Sequence, residues 1–448
     1  MSNYNYITNL TNDFVEFESE LEIIVLEPEQ PQQALEISQF LRNESRRWHL
    51  YLQALALLAF EEWLQKREPN IFINKEQSSV FQLSHANLID AVCHLSVGEF
   101  KVCLIPTISF TDEEVTVPRA VLDLPEFTAH FYVVIGIEED LEIAAIRGFL
   151  RYDQLVNYQS ELQPEVDWNY HLPLAWFNRE PNELLLYLQC LAPTAIPLPE
   201  IPTHRQASLR RMQTPLLNLL PQLHSRPLWQ VLTWEQATAV LTSPELLNWL
   251  YNVQIQDEKL PILHSHLSDL LQILTQQAVN VRNWLQNQMD EVVQTLAWQV
   301  LPTASAFRTM MRQSPAQELE DILTDIKRNN QIEIPDFAGR AYRDVLLQNL
   351  LRLYAVTWSL PDTDNGWRLL LILKAIPEEQ PPFGLRLRVS DQMEILVEEE
   401  LQPHRYHDYI FTQVEGSYED KFLATIVSVT GEVETLPPFE FIRDSKQQ

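Results

Sequence analysis

From Gln32 to Lys66 the apolar residues recur at helical spacing, Leu35, Ile37, Phe40 and Leu41 followed by Trp48, Leu52, Leu55, Leu58, Phe60 and Leu64. That period marks an α-helix with one buried stripe. Polar Asn43, Glu44 and Ser45 with two arginines interrupt it, so two helices meeting at Asn43 are predicted. The signal stops at Glu68-Pro69-Asn70, because the residue before a proline is disfavoured in the α region. Upstream, Phe17, Leu21, Ile23 and Val25 alternate and predict an early strand within Asp13 to Leu26.

From Ala91 the period falls to two. Val92, His94 and Ser96, then Phe100, Val102 and Leu104, flank Val97-Gly98-Glu99, the pattern of a hairpin with glycine at a positive-φ turn position. Further strands are predicted at Glu114 to Val117, Ala129 to Ile137 and Ile143 to Leu150, with Glu138-Glu139-Asp140 as an acidic turn. Short strands joined by tight turns point to a small barrel, which removes exposed edges by closing on itself. Pro193, Pro197, Pro199 and Pro202 then crowd a stretch that cannot continue a helix. Beyond it, from Ala207 to Asn330, leucines and tryptophans recur at helical spacing between prolines. Ser243-Pro244 is the clearest N-cap and first helical residue there.

Five tryptophans lie between Trp229 and Trp298, and an aromatic stripe at helical spacing reads as core. A further helix is predicted at Ala341 to Leu350, followed by seven short strands, Leu353–Ser359, Trp367–Ala375, Leu385–Val389, Glu394–Leu401, Tyr409–Val414, Phe422–Ser428 and Glu432–Phe441. Strands at that spacing read as a β-sandwich. The expected fold is therefore α+β and multidomain: a helix-flanked small β-barrel (13–192), a proline-rich linker (193–206), an all-helical middle (207–338) and a C-terminal β-sandwich (339–443).

Composition narrows the chemistry. The 448 residues hold eight glycines, against about 7% in ordinary chains. None lies between Gly148 and Gly339. A loop that wraps a phosphate with backbone N–H groups needs glycine, so no P-loop, dinucleotide fingerprint or nucleophile elbow can be drawn. No apolar run reaches the length of a membrane-spanning helix, and no basic region leads into an apolar stretch at the N-terminus. A cytoplasmic protein without a secretory signal is expected. Cys93, Cys103 and Cys190 form no C-x-x-C pair and fit free thiols.

The net charge of −30 is unevenly spread. Residues 1–200 carry 31 acidic against 11 basic side chains, 201–340 carry 13 against 11, and 341–448 carry 18 against 10. An acidic first segment repels nucleic-acid phosphates and attracts a basic protein partner. Asp112, Glu113, Glu114, Glu138, Glu139 and Asp140 are the expected partner-binding residues. Arg205, Arg210 and Arg211, with His204, form the one basic cluster, expected to dock the acidic segment or bind an anion.

No catalytic residues, metal ligands or cofactor are assigned. His404 and His407 with Asp408, His264 with His266, and Cys93, His94 and Cys103 lack the convergence a metal demands. Ser84, His85 and Asp90 offer triad residue types without an oxyanion glycine. The reading is a non-catalytic regulatory or scaffolding protein. The alternative is a hydrolase whose site is assembled from distant residues, in a pocket converging Asp90, Cys93, His94 and His130. A third reading, binding nucleic acid through the three arginines, is disfavoured by the charge.

The stretch Tyr132-Val133-Val134-Ile135-Gly136-Ile137 with Ala144-Ala145-Ile146-Arg147-Gly148-Phe149-Leu150, and the pattern Gly366-Trp367-Arg368 to Leu371, Pro382 to Val389 and Glu394 to Leu401, resemble a cyanobacterial domain-of-unknown-function family (DUF1822). The likeness extends over most of the chain. It implies a cytoplasmic cyanobacterial protein and a regulatory setting, with a sigma factor or signalling protein as the basic partner, and it implies no catalytic residue.

Overall fold

The computed structural model describes residues 22–202, 205–223, 226–255, 260–288, 291–303, 314–330, 332–360, 366–376, 383–402 and 408–442, with backbone alone at 205, 206, 291 and 292. The chain is mixed α+β and divides into two compact units, Met1–Arg205 with Asn218–Glu258, and Gln206–Leu217 with Lys259–Gln448.

In the first unit the two predicted helices are Glu29–Gln39 and Glu44–Arg67, with Asn43 extended between them. The second helix is buried almost continuously from Leu50 to Phe60, because it lies against a sheet rather than along a surface. The strands of this unit are β1 (Ile23–Val25), β2 (Ile73–Asn74), β3 (Val92–Val97), β4 (Phe100–Thr107), β5 (Glu114–Pro118), β6 (Phe131–Glu138), β7 (Ile143–Arg151) and β8 (Asn169–Pro173). Six form a curled, half-barrel sheet in the order β1-β7-β6-β4-β3-β2, and β5 pairs with β8 apart from it.

The expected barrel does not close, since β1 and β2 remain as edges. The reason is the β4–β6 pair, which is parallel. Parallel neighbours need a crossover instead of a tight turn, and β5 with the short helix Arg119–Asp123 supplies it. Gly98 takes φ +57 in the β3–β4 turn, as its position in the sequence predicts. One core joins Leu50, Leu55, Phe60 and Leu64 of the long helix to Val102, Leu104, Phe131, Val133, Ile135 and Ile146 of the sheet.

Ser243 caps the helix Pro244–Ile255, accepting from the Leu246 N–H at 3.5 Å. The middle of the chain is not all-helical, because β9 (Val279–Asn280) and β10 (Gln299–Leu301) fall within it. Their partners are remote in sequence, which is why local periodicity does not reveal them.

The second unit is built on β11 (Gly339–Leu346), β12 (Leu350–Ser359), β13 (Gly366–Ala375), β14 (Arg386–Ser390), β15 (Ile395–Glu400), β16 (Tyr409–Ser417), β17 (Leu423–Val427), β18 (Val433–Thr435) and β19 (Phe439–Glu440). The helix expected at Ala341 to Leu350 is instead most of β11 and the turn into β12, with Leu346 opposite Leu350. Cross-strand pairing overrides a helical period over so short a run. Antiparallel sheets β10-β11-β12-β13-β16 and β15-β14-β17-β18 share a core through Leu353, Leu371, Leu387, Val389, Ala424 and Ile426. On the other face, Tyr354, Val356, Leu370 and Ile372 meet Leu319, Leu323 and Ile326 of the helix Pro315–Asn330. Burial on both faces explains the unbroken run Leu369 to Leu373, which carries no alternation.

Candidate functional site

The six carboxylates expected to bind a partner stand at one end of the first unit's sheet. Asp112, Glu113 and Glu114 are exposed at the start of β5, and Glu138, Glu139 and Asp140 leave β6 on a single 3-10 turn. Gly136 lets the preceding segment approach, since a Cβ there would lie 2.5 Å from the Phe110 ring. Arg147 then ties that segment down, Nη2 donating to the Asp112 carbonyl at 2.5 Å. Phe110 and Glu138 are thus reached from the same face of β6, two residues apart along the strand. Among the described residues no Lys, Arg or His pairs with any of the six. Of the six carboxylates, Glu139 alone has a side-chain partner among the described residues, the Tyr51 hydroxyl, which donates to Oε1 at 2.8 Å. Burial, then the bond to that carboxylate, holds the Tyr51 phenol well above its usual value.

Of the basic cluster, His204 and the Arg205 side chain lie outside the described residues. Arg210 donates Nε (2.9 Å) and Nη2 (2.5 Å) to the Thr275 carbonyl, so its charge sits at the C-terminus of the helix Leu260–Thr275, where a cation is favoured. Arg211 reaches back along its own helix to the Ala207 carbonyl at 3.4 Å.

The residues of the hydrolase alternative form no catalytic relay among the described residues. Asp90 is held by Arg46 (3.2 and 2.5 Å) and His49 (3.3 Å). Cys93 is buried, its N–H donating to Ser79 Oγ at 3.0 Å. Burial pushes its thiol up to about 12 and raises Cys103 as well, the reverse of an activated nucleophile. A register shift within β3 puts His94 at φ +57, with its ring stacked on Phe127 at 5.0 Å and edge-on to His85 at 5.3 Å. Desolvation lowers both imidazoles, His85 to about 4. His130 accepts the Lys101 N–H at Nδ1, 2.8 Å. No hydrogen bond or ion pair joins any two of Asp90, Cys93, His94 and His130 among the described residues.

Ser84 and His85 are buried, and the Asp90 carboxylate turns to arginine rather than to His85. His404 and His407 lie outside the described residues, while Asp408 pairs with Lys374 at 3.3 Å. No group of three His, Cys, Asp or Glu side chains converges as a metal site among the described residues, and none of their helices is long and apolar enough to cross a membrane.

Sequence reasoning missed a concavity of the first unit. A cleft of about 950 Å³ is lined by Arg42, Arg46, Asp90, Trp168, Trp229 and Trp234, together with Asn43, Asn87 and Gln254. The amides form a chain, Asn43 Nδ2 donating to Asn87 Oδ1 (3.0 Å) and Asn87 Nδ2 to Gln254 Oε1 (2.8 Å). Trp249, Trp284 and Trp298 are core residues as expected. Trp229 and Trp234 are not, since both reach this cleft. The available signal was their place beside turn residues, Trp229 after Pro227 and Trp234 after the capping Thr233.

No curated protein and no solved structure matches the chain. The family described as "Protein of unknown function (DUF1822)" matches residues 24–434, nearly the whole chain. The chain belongs to that family.

Proposed function

We propose that the chain is a non-catalytic regulatory or scaffolding protein that docks a basic protein segment on the acidic end of its first unit. The observation that carries this reading is the set of six carboxylates, exposed apart from the half-buried Glu138 and without a cationic partner among the described residues. Like charges left uncompensated on one surface repel each other, and a basic partner relieves that repulsion while gaining association rate. The state of the hydrolase candidates agrees: buried thiols held protonated are poor nucleophiles, and imidazoles whose pKa burial lowers are weak bases. The two sheets of the second unit, sharing one core, are read as a β-sandwich that serves as a stable support.

The test is capture from native lysate at low and high salt, with the wild-type chain and with Glu138, Glu139 and Asp140 changed to lysine. A stoichiometric basic partner lost both in high salt and in the charge-reversed chain is the expected result. A partner retained by the reversed chain sinks this docking surface.

A further inference from the structure

The Trp168 cleft holds a residue in a left-handed turn position whose bulky side chain the turn itself does not require. Trp168 has φ +63, a left-handed conformation that costs a bulky residue roughly 1–3 kcal/mol. The turn is closed by the Trp168 N–H donating to the Glu165 carbonyl (3.1 Å) and the Glu165 N–H donating to the Asn169 carbonyl (2.8 Å). At its left-handed position glycine or asparagine sits without penalty. An indole occupies it instead and stands edge-on to Trp234 at 5.5 Å in the cleft wall. Arg119 fixes both partners. Its N–H donates to the Trp168 carbonyl at 2.9 Å, and its guanidinium lies 4.2 Å over the Trp234 ring while paired to Asp123.

The charges around the cleft are not equally available. Glu44 is taken by Arg47 (3.5 Å), Asp90 by Arg46, and Asp167 by the N–H (3.2 Å) and side-chain amide (3.0 Å) of Asn169. Arg42 and Arg226 are exposed, and neither guanidinium has a partner among the described residues. In a chain with 32 basic against 62 acidic side chains, two unpaired arginines beside three indoles are a specific arrangement. The volume of about 950 Å³ lies within the roughly 300–1,000 Å³ of small-molecule sites.

We propose that this cleft binds a small organic anion carrying a flat aromatic ring, of the class of a nucleoside monophosphate. The ring lies against the indoles and the anionic group meets Arg42 and Arg226. With glycine too scarce for a backbone cradle, side-chain cations are the means of holding a phosphate here, and a guanidinium presents it a planar fork of donors. A cationic guest is the poorer fit, because the acids that line the cleft, Glu44, Asp90 and Asp167, are each already engaged. The proposal is independent of the acidic docking surface.

Isothermal titration of the full chain with AMP, GMP, UMP and phenyl phosphate tests it, with adenosine and inorganic phosphate as the partial ligands. At least one of the four is expected to bind saturably, and each partial ligand at least about tenfold more weakly, as loss of one stacking or charged contact implies. Trp168→Gly should weaken that binding about tenfold and leave thermal stability equal or higher, because glycine removes the backbone strain. Arg226→Gln should weaken it and flatten its salt dependence. Absence of binding by all four at millimolar concentration overturns the proposal, as does adenosine binding as tightly as AMP. Binding unchanged in both Arg226→Gln and Trp229→Ala overturns it too, whatever the stability of the Trp168 variant.

Discussion

Asp269 and Arg388 form a buried bidentate pair, the guanidinium Nε and Nη2 each 2.9 Å from a carboxylate oxygen, with 1% and 8% of the two residues exposed. Ser390 Oγ adds a donor at 2.7 Å and Thr425 Oγ1 one at 3.4 Å. A helix residue is thereby joined to β14 and β17 within the second unit by a fully hydrogen-bonded charge. Breaking such a pair from one side leaves the other charge stranded, at a cost of about 3–5 kcal/mol, whereas replacing both by apolar residues is often near neutral. Asp269→Ala should lower the urea midpoint sharply, and Asp269→Leu with Arg388→Met should recover most of it. Equal loss in the single and double variants would show that packing, not charge, dominates there.

Gly339 opens β11 against the Trp284–Leu285 backbone. A Cβ at this position would lie 2.7 Å from Leu285 N and from the Trp284 carbonyl carbon, and a main chain cannot swing aside as a flexible side chain does. Gly339→Ala should therefore cost about 1–3 kcal/mol or more, the range for forced overpacking. Gly431 has φ +89, and a Cβ added there would meet no atom within 4 Å. As alanine it should lose only the left-handed backbone penalty of about 1–2 kcal/mol. Denaturant midpoints of the two variants check the contrast.

His85 gives the first unit a defined acid sensitivity. Burial, then the neighbouring His94, lower its pKa from 6.5 to about 4. Between those values the unfolded chain binds the proton and the folded chain does not, so stability falls as pH drops from 6.5 toward 4 and is unaffected by this group above 6.5. The shift corresponds to at most on the order of 3 kcal/mol. His85→Phe should make the fall in thermal midpoint over that window shallower, and an unchanged slope would assign the acid sensitivity to other groups.

The three thiols should separate cleanly. Cys190 is exposed, whereas Cys93 and Cys103 are buried with thiols raised by desolvation. A native-state titration with a thiol reagent at about pH 8 should modify one cysteine quickly and the other two only on denaturation. Rapid modification of all three would mean that β3 and β4 open readily.

Among the described residues the Tyr51 hydroxyl is the one side-chain group bonded to a carboxylate of the acidic surface. Tyr51→Phe removes its bond to Glu139, with an expected loss of about 1 kcal/mol. Because the other five carboxylates are untouched, captured partner should fall little, in contrast to the lysine substitutions. A large loss of partner on this single change would make the position of Glu139 the dominant determinant.

Much of this architecture was written along the chain because short-range physics decides it. The Glu44–Arg67 helix, the Gly98 turn, the Ser243 cap and the strands from β12 to β17 follow from period, turn residues and capping chemistry, each settled within a few residues. Scarce glycine likewise excluded backbone phosphate loops whatever the fold. What depends on partners far along the chain could not be read that way. The parallel β4–β6 pair leaves the half-barrel open, β9 and β10 find partners more than 35 residues away, and the Ala341 segment becomes a strand because β12 lies beside it.

The same division holds for function. The acidic residues were legible because charge is carried by each residue wherever it lies. The cleft was not, because its walls come from the start of a helix near residue 44, the turn at Trp168 and the helices around Trp229 and Trp234. Only folding brings those segments together, and only the backbone angle at Trp168 reveals that one of its indoles is held there against local preference.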